Sequence, residues 1–486
     1  MDRLEALSVN AHEPLLYEPM SLLFFGMRKL ALLLLIAIPA FAQNVDIEAL
    51  SGLQFNFGNP GARSLGMGGA FLGLADDASA AEANPAGLTI LRKPEFSVEL
   101  RNYQEQQLFS TSGTFPDVVR TPFTHYSNRV NVSFASAVFP VKKFTFGVYY
   151  HEPLNNQGGG IVAPTFNQTT GRQETKTPNF FLPAGGGNPI TEAACDALRN
   201  STHNPSACFE FRIDPFISAL DVRQRTFGIA GAWQIHPKFS IGATARYQRF
   251  REAAFTFRFT QDFDPSTVSV QATAKTNNGE VEIEEVSDVT FAVGFKYAPS
   301  DKLSFGGVYK QGPKFKTPLF FSGAVTNFDF LQVAETTFHI PDIMGVGVSF
   351  RPIPVLTINA DAVHVKYSNL TDDFVASVAD VRSLQGDPFQ ADDVTELRLG
   401  AEYFFATKIP VAIRAGFWRD PAHSVTWKGP VNRADFIAEA LLFPKGEAQN
   451  HVSVGAGLAW PRFQIDAAYD SSDTFKVASL SMVARF

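Results

Sequence analysis

Along most of the chain, apolar residues fall on every second position. Phe463, Ile465, Ala467 and Tyr469 alternate with Arg462, Gln464, Asp466, Ala468 and Asp470. Val289, Phe291, Val293, Phe295 and Tyr297 alternate with Thr290, Ala292, Gly294 and Lys296. Leu397, Leu399, Ala401 and Tyr403 stand against Glu396, Arg398, Gly400 and Glu402 in the same way. Successive side chains of a strand point to opposite sides. Each segment therefore has one continuous apolar face and one polar or small face. Fourteen such segments begin near residues 94, 129, 143, 223, 238, 287, 302, 342, 354, 395, 409, 450, 462 and 475.

The connections alternate as well. Short turns are expected at Pro140–Lys143, His236–Lys238, Ala298–Lys302, Arg351–Pro354, Ala406–Pro410 and Pro461-Arg462. Long loops are expected at 104–128, 152–222, 259–286, 311–341, 368–394 and 420–449, with one short exception at Ser471–Thr474. Short turns at one end and long loops at the other mark an outer-membrane barrel. Each segment has about the 9 to 11 residues that cross a bilayer obliquely. The fold class is all-β: a 14-stranded antiparallel transmembrane barrel over 94–486, with 43–93 as an N-terminal plug inside its lumen. A soluble β-sandwich also alternates, but its outer faces would carry more Lys, Glu and Thr. Trp233, Tyr297, Tyr403 and Trp460 near strand ends fit an interfacial girdle. Phe486, Ala484, Met482, Leu480 and Ala478 form one apolar face that runs to a terminal aromatic. That resembles the strand by which the barrel-assembly machinery recognises bacterial outer-membrane proteins.

Composition sharpens this picture. The 486 residues are 45% hydrophobic but only 18% charged, against about 25% in an ordinary soluble domain. The longest apolar run is Leu30–Ala42, short of the roughly 18 to 20 residues of a spanning helix. A net charge of −7 and a pI near 5.8 speak against a nucleic-acid partner.

Met27–Lys29 is a basic start, Leu30–Ala37 an apolar stretch, and Ala40-Phe41-Ala42 a small-x-small cleavage site. Residues 27–42 thus read as a secretory signal peptide. Residues 1–26 fall outside that pattern and read as a start-site extension or a cloning remnant. Export places Cys195 and Cys208 in an oxidising compartment. A local disulfide is expected, stabilising by about 3 kcal/mol through loop closure. No metal site or cofactor is expected.

Residues 43–93 do not alternate. Gly66, Gly68 and Gly69 permit tight turns and close packing. Asp76 or Asp77 can cap a short helix through Ala83, and Pro85 ends it by forcing Asn84 out of helical geometry. A phosphate loop is excluded. Phe71 stands where the third fingerprint glycine belongs, and no strand precedes the glycines. The pattern Gly66-Met67-Gly68-Gly69-Ala70-Phe71, then Ala75-Asp76-Asp77-Ala78, then Asn84-Pro85-Ala86 resembles the hatch of the FadL/TodX family. These are outer-membrane transporters of long-chain fatty acids and hydrocarbons. The pattern is also similar to PorV-like barrels of a secretion system. The resemblance implies capture of a hydrophobic molecule by extracellular loops, passage to a lumen pocket, and release by a shift of the hatch. It implies exit sideways into outer-membrane lipid beside a kinked third strand. Gly147 is the candidate for that kink.

Apolar residues in the loops are candidate ligand contacts: Phe315, Phe320, Phe321, Phe328, Phe330, and Phe436, Leu441 and Phe443 of a possible amphipathic helix over 434–443. They form either a binding surface or a mutually packed cover for the barrel mouth. Arg246, Arg398 and Arg414 lie on polar strand faces. They could meet a ligand carboxylate, or hold the plug through Glu396, Glu402, Asp361 and Asp466. Two other function classes compete with a passive channel. One is a docking or shuttle barrel for a secretion or surface-assembly system. The other is an outer-membrane hydrolase, which lacks a Gly-x-Ser-x-Gly elbow here. The expected partners are a hydrophobic small molecule, outer-membrane lipid, and the assembly machinery through the strand ending at Phe486.

Overall fold

The computed structural model describes residues 57–126, 130–161, 179–212, 216–258, 271–272, 285–321, 331–371, 388–432, 437, 440, 441 and 443–486. The expected signal segment 27–42, residues 1–26 and the first part of the plug lie outside the described residues, as do Phe328, Phe330 and Phe436.

Fourteen long strands close into one antiparallel ring. We number them β1 (Glu95–Thr114), β2 (Asn131–Val141), β3 (Phe144–Ile161), β4 (Phe216–His236), β5 (Phe239–Arg258), β6 (Val286–Ser300) and β7 (Leu303–Lys310). They continue as β8 (Ile343–Ile353), β9 (Leu356–Val365), β10 (Val394–Phe405), β11 (Val411–Asp420), β12 (Gln449–Ala459), β13 (Phe463–Ser471) and β14 (Phe475–Arg485). Each pairs with the next in sequence. β14 then closes onto β1 from Glu95↔Arg485 to Glu105↔Phe475.

The strand starts follow the alternation except for β4, which begins at Phe216 rather than near 223. All six of the expected long loops contain paired strand residues, and three of them carry long ladders. β1 runs to Thr114 and returns as a strand over Asp117–Tyr126. β3 and β4 stay paired out to Ile161↔Ile217. Lys314–Phe321 pairs with Leu331–His339. Alternation is imposed by lipid on one side only, so it fades where the strands leave the bilayer. Asn155, Asn156, Gln157 and the following glycines keep the ladder without the pattern. Between these strands, the Cys195–Cys208 disulfide joins a helix at Glu192–Thr202 to a short strand at Cys208–Arg212. It packs among Phe181, Ile190 and Leu198.

The wall inverts the soluble pattern. Phe291, Val293, Phe295, Leu397, Leu399, Val452 and Val454 are exposed, while Glu99, Glu396, Arg398, Glu402, Arg414 and Asp466 are buried. Buried charge and exposed apolar surface are the informative deviations. Here they mean that lipid lies outside and polar packing inside. Exposed aromatics gather at the short-turn edge. Trp233 stacks on Phe144, Tyr297 on Phe305 and Trp460 on Phe463.

The inside is filled by Phe57–Lys93. Its elements are short: α1 (Ala62–Leu65), α2 (Ala80–Ala83) and a 3-10 turn at Pro85–Ile90. Gly68 has φ +65°, and an added Cβ there would lie 3.0 Å from Leu399 O. The wall reciprocates. A Cβ at Gly400 would sit 2.3 Å from Met67 O, and one at Gly416 would sit 2.1 Å from Gly68 N. The small inner face of the strands is thus the surface on which plug backbone lies. The cap of α2 differs from expectation. Ser79 holds the N-cap position, Asp77 accepts from its N–H at 2.9 Å, and Asp76 turns away to Arg63.

Candidate functional site: the plugged lumen

The plug is tied to the wall around most of its circumference, and charge does much of the tying. Arg63 of α1 meets Glu402 of β10 side-on, with Nε–Oε2 at 2.9 Å and Nη2–Oε1 at 2.8 Å. Its Nη1 reaches Asp76 at 2.5 Å, so the same guanidinium also folds the plug on itself. Glu402 in turn accepts from Arg414 Nε at 2.6 Å, and Arg414 Nη2 lies 2.9 Å from Asp466. A planar guanidinium suits two parallel bonds to one carboxylate, which fixes orientation as well as distance.

A second knot surrounds Glu82 of α2. Lys310 Nζ lies 3.1 Å away, Arg246 Nη2 3.3 Å away, and Tyr149 donates its hydroxyl. A third joins Asp361 of β9 to the plug backbone, where it accepts from Phe71 N at 2.6 Å and Leu72 N at 2.8 Å. Seryl groups complete the set. Ser453 accepts from Gly68 N and Ser481 from Ala62 N, while Ser136 donates to Ala78 O and Ser240 to Ala86 O.

Asn84 of the Asn-Pro-Ala motif is fully buried. Its amide nitrogen donates to Leu72 O and to Phe295 O of β6, both at 3.1 Å, and its oxygen accepts from Ala86 N at 3.3 Å. One side chain therefore closes the 3-10 turn, holds a second plug strand of backbone, and docks on the wall. A carboxamide supplies both donor and acceptor. Pro85 starts the turn, where its missing N–H costs nothing.

The three lumen arginines all face carboxylates. Arg246 lies against Glu82 and Arg414 against Glu402 and Asp466. Arg398 donates to Glu396 through Nε at 3.0 Å and through Nη2, and lies 5.1 Å over the Trp418 ring. Sequence reasoning missed Arg63, Glu82 and Tyr149. The first two were readable: each is a lone charge among small residues of the plug, and such a charge needs a partner once buried.

Loop residues fill the far end of the barrel. Phe315 stacks on Phe250 at 5.0 Å, and Phe443 meets Phe389 edge-on at 4.9 Å. Both belong to one buried apolar cluster with Tyr367 and Trp427. That cluster descends to Leu72 of the plug and reaches Leu154 in the wall. Leu441 packs in a separate cluster with Phe180, Leu182 and Ile437. Of the helix expected over 434–443, Ile437, Ala440 and Leu441 have helical backbone, and 434–436, 438, 439 and 442 lie outside the described residues. Phe320 and Phe321 lie on the strand Lys314–Phe321.

The bend expected at Gly147 is absent. Pairing is continuous through Gly147 on both sides, with Val138 and with Ala230. A Cβ at Gly147 would meet Val138 Cγ2 of the neighbouring strand at 3.3 Å and stand in ordinary contact with Ala81 Cβ of the plug at 3.8 Å. The irregularity of β3 falls further along, between His151 and Leu154. Pro153 there has no N–H for a ladder. The neighbouring β1–β2 ladder is also interrupted, skipping Ser133 between Glu99 and Leu100. Arg101, Tyr103, Ser133, Leu154 and Phe475 line a cavity of about 20 Å³ beside these two breaks.

A closed fourteen-stranded ring with an apolar outer belt, an aromatic rim and a buried N-terminal plug is an outer-membrane β-barrel of the transporter class. Residues 216–478, more than half of the chain, match the family model of outer membrane transport proteins described as OMPP1/FadL/TodX. The chain belongs to this family and resides in the outer membrane. It is similar in fold to a Pseudomonas aeruginosa FadL homologue (TM-score 0.53, 15% identity, covering 89% of this chain and 100% of that one). It is likewise similar to the Ralstonia pickettii toluene transporter TbuX (0.52, 15%, 89% and 99%). A third similar structure is the CymD monoaromatic hydrocarbon channel (0.51, 16%, 89% and 99%). No curated protein matches the chain.

Proposed function

We propose that the barrel carries hydrophobic small molecules, long-chain fatty acids or aromatic and aliphatic hydrocarbons, passively through the outer membrane. The observation that carries this reading is the apolar cluster joining loop residues Phe315, Phe389 and Phe443 to Leu72 of the plug and to Leu154 at the break in β3. A hydrophobic molecule entering such a path gains about 25 cal/mol per Å² of apolar surface removed from water. On this reading the loops capture the ligand and the lumen holds it above the plug. A shift of the plug then frees the passage beside β3. Release sideways into lipid keeps the molecule out of water throughout. The similar channels named for toluene and monoaromatic hydrocarbons support a hydrocarbon as one ligand class.

The test is uptake into liposomes. Vesicles carrying the protein should take up labelled toluene and labelled oleate faster than empty vesicles of the same lipid. Equal rates for every hydrophobic probe would remove the transport reading and leave the docking role to be examined.

A further inference from the structure

Two neighbouring strands carry arginines in facing pairs on the outside of the wall. In the β4–β5 ladder Arg225 lies opposite Arg249, and Arg223 lies opposite Arg251. Residues two apart on a strand share a face. On β4 the face of Arg223 and Arg225 continues through Phe227 and Ile229, which are 43% and 68% exposed. On β5 the face of Arg249 and Arg251 continues through Tyr247, 45% exposed. These are lipid-facing positions, so all four arginines stand on the outer face, at its loop end. Like charges directly opposite one another in a sheet repel, and here two such pairs stand in successive rows.

Glu152 of β3 and Glu285, one residue before β6, lie beside them. Arg225 is 3.6 Å from Glu152 and 3.8 Å from Glu285, and Arg249 pairs with Glu285. Both Arg225 contacts are longer than the roughly 2.7 to 3.2 Å of a hydrogen bond. Glu152 also accepts from the Tyr150 hydroxyl at 2.9 Å and from the Asn155 amide at 2.5 Å. The side chains of Arg225 and Arg249 remain 32% and 39% exposed.

The height of the patch is informative. Trp233 at the short-turn edge is eight residues from Arg225 and ten from Arg223. At about 3.4 Å per residue and a tilt of about 35 to 45°, the two rows stand about 20 to 27 Å above it. The apolar band of such a barrel is about 25 Å tall. The arginines therefore sit where acyl chains give way to headgroups on the extracellular side.

We propose that this patch binds the phosphate of a phosphorylated glycolipid in the outer leaflet. The phosphate bridges Arg225 and Arg249, with Arg223 and Arg251 in the row above, and the acyl chains lie on Phe227, Ile229 and Tyr247. An anion between facing guanidiniums replaces repulsion by attraction, and the guanidinium fork matches phosphate bidentately. The arginine rows continue the lipid-facing surface without a break, which favours a lipid as the source of the anion.

Native mass spectrometry of the full barrel in detergent compares lipid A bearing two phosphates with the same lipid stripped of both. The parent should retain the phosphorylated form about tenfold more. Arg225→Gln with Arg249→Gln should lower retention of lipid A to that of the stripped lipid, with the heat-modifiable gel mobility intact. Lys238→Gln with Lys302→Gln removes the same charge at exposed short-turn positions and should leave retention unchanged. Phenylglyoxal, which modifies arginine, gives a readout on the parent protein itself. Lipid A should shield Arg225 and Arg249 several-fold more than the stripped lipid does, and should not shield the exposed Arg351. Equal retention of the two lipids, unchanged retention in the arginine variant, equal loss in both double variants, or shielding that ignores the phosphates overturns the proposal.

Discussion

Arg63 of the plug and Glu402 of β10 form two parallel hydrogen bonds, at 2.9 and 2.8 Å, inside a wall whose outer face meets lipid. The pair ties the plug to two strands at once, because Glu402 is shared with Arg414 of the neighbouring strand. Breaking one side of a buried ion pair costs about 3 to 5 kcal/mol. Arg63→Met should therefore loosen the plug without dissolving the barrel. Limited proteolysis after solubilisation should cut residues 57–93 much faster than in the parent protein, with the heat-modifiable gel shift intact. Unchanged protection would mean the seryl and backbone contacts suffice alone.

Asn84→Asp keeps the shape and replaces a donor by an acceptor facing Leu72 O and Phe295 O. A buried polar group left without its hydrogen bond costs about 1 to 3 kcal/mol. The variant should release the plug more than Asn84→Ala does, since alanine brings no oxygen against those carbonyls. Hydrogen exchange at Ala86 and Gly87, compared across the two variants, checks the order.

The wall glycines make a position-specific prediction. Gly400→Ala and Gly416→Ala place a methyl 2.3 Å from Met67 O and 2.1 Å from Gly68 N, both backbone atoms of the plug. Gly231→Ala, whose nearest neighbour is Phe146 Cδ1 at 4.0 Å, should be silent. Ion leakage through planar bilayers should rise for the first two and stay at the parent level for the third. Equal leakage from all three would show that the plug does not lie on the inner wall as described.

His423 in the loop after β11 gives a pH dependence. Burial works against its charged form, but Asp420 at 3.2 Å and Pro421 O at 2.9 Å favour it, and its pKa lies above the ordinary imidazole value. Glu396 adds to the same field, and the ring stacks on Tyr367 at 4.0 Å. A raised folded pKa stabilises below the unfolded value of about 6.5, and that contribution is lost as pH rises through the folded value. After correction for intrinsic rates, exchange at Trp427 N–H should quicken as pH rises above neutrality. In His423→Gln it should show no such change.

Much of this was written in the sequence, for a physical reason. Lipid outside and plug inside impose period two wherever a strand crosses the bilayer, so the starts of thirteen strands follow from alternation to within about two residues. Where that constraint ends, the pattern does too, which is why the start of β4 and the paired stretches within 104–126, 314–321 and 331–339 carry no strand signal. The plug was legible as a motif, and its partners were not. Arg63 and Glu402 are far apart in sequence, and nothing local says that a lone arginine will find that glutamate rather than Asp361 or Asp466. Gly147 misled because a glycine in a strand has two uses, bending it or admitting a neighbour. Here the tightest neighbour is Val138 of the adjacent strand, 3.3 Å from where a Cβ would stand, and Pro153, which removes a ladder donor outright, breaks the strand.

On the proposed route, a hydrophobic molecule descends the apolar cluster and leaves beside β3. The most direct measurement compares toluene and oleate uptake in liposomes carrying the parent protein, Leu154→Trp and Val293→Trp. Leu154 is 4% exposed beside the break, and Val293 is 44% exposed on the lipid face of β6. Leu154→Trp should slow uptake several-fold at equal barrel content, while Val293→Trp should leave it unchanged. Equal uptake by all three would contradict that route.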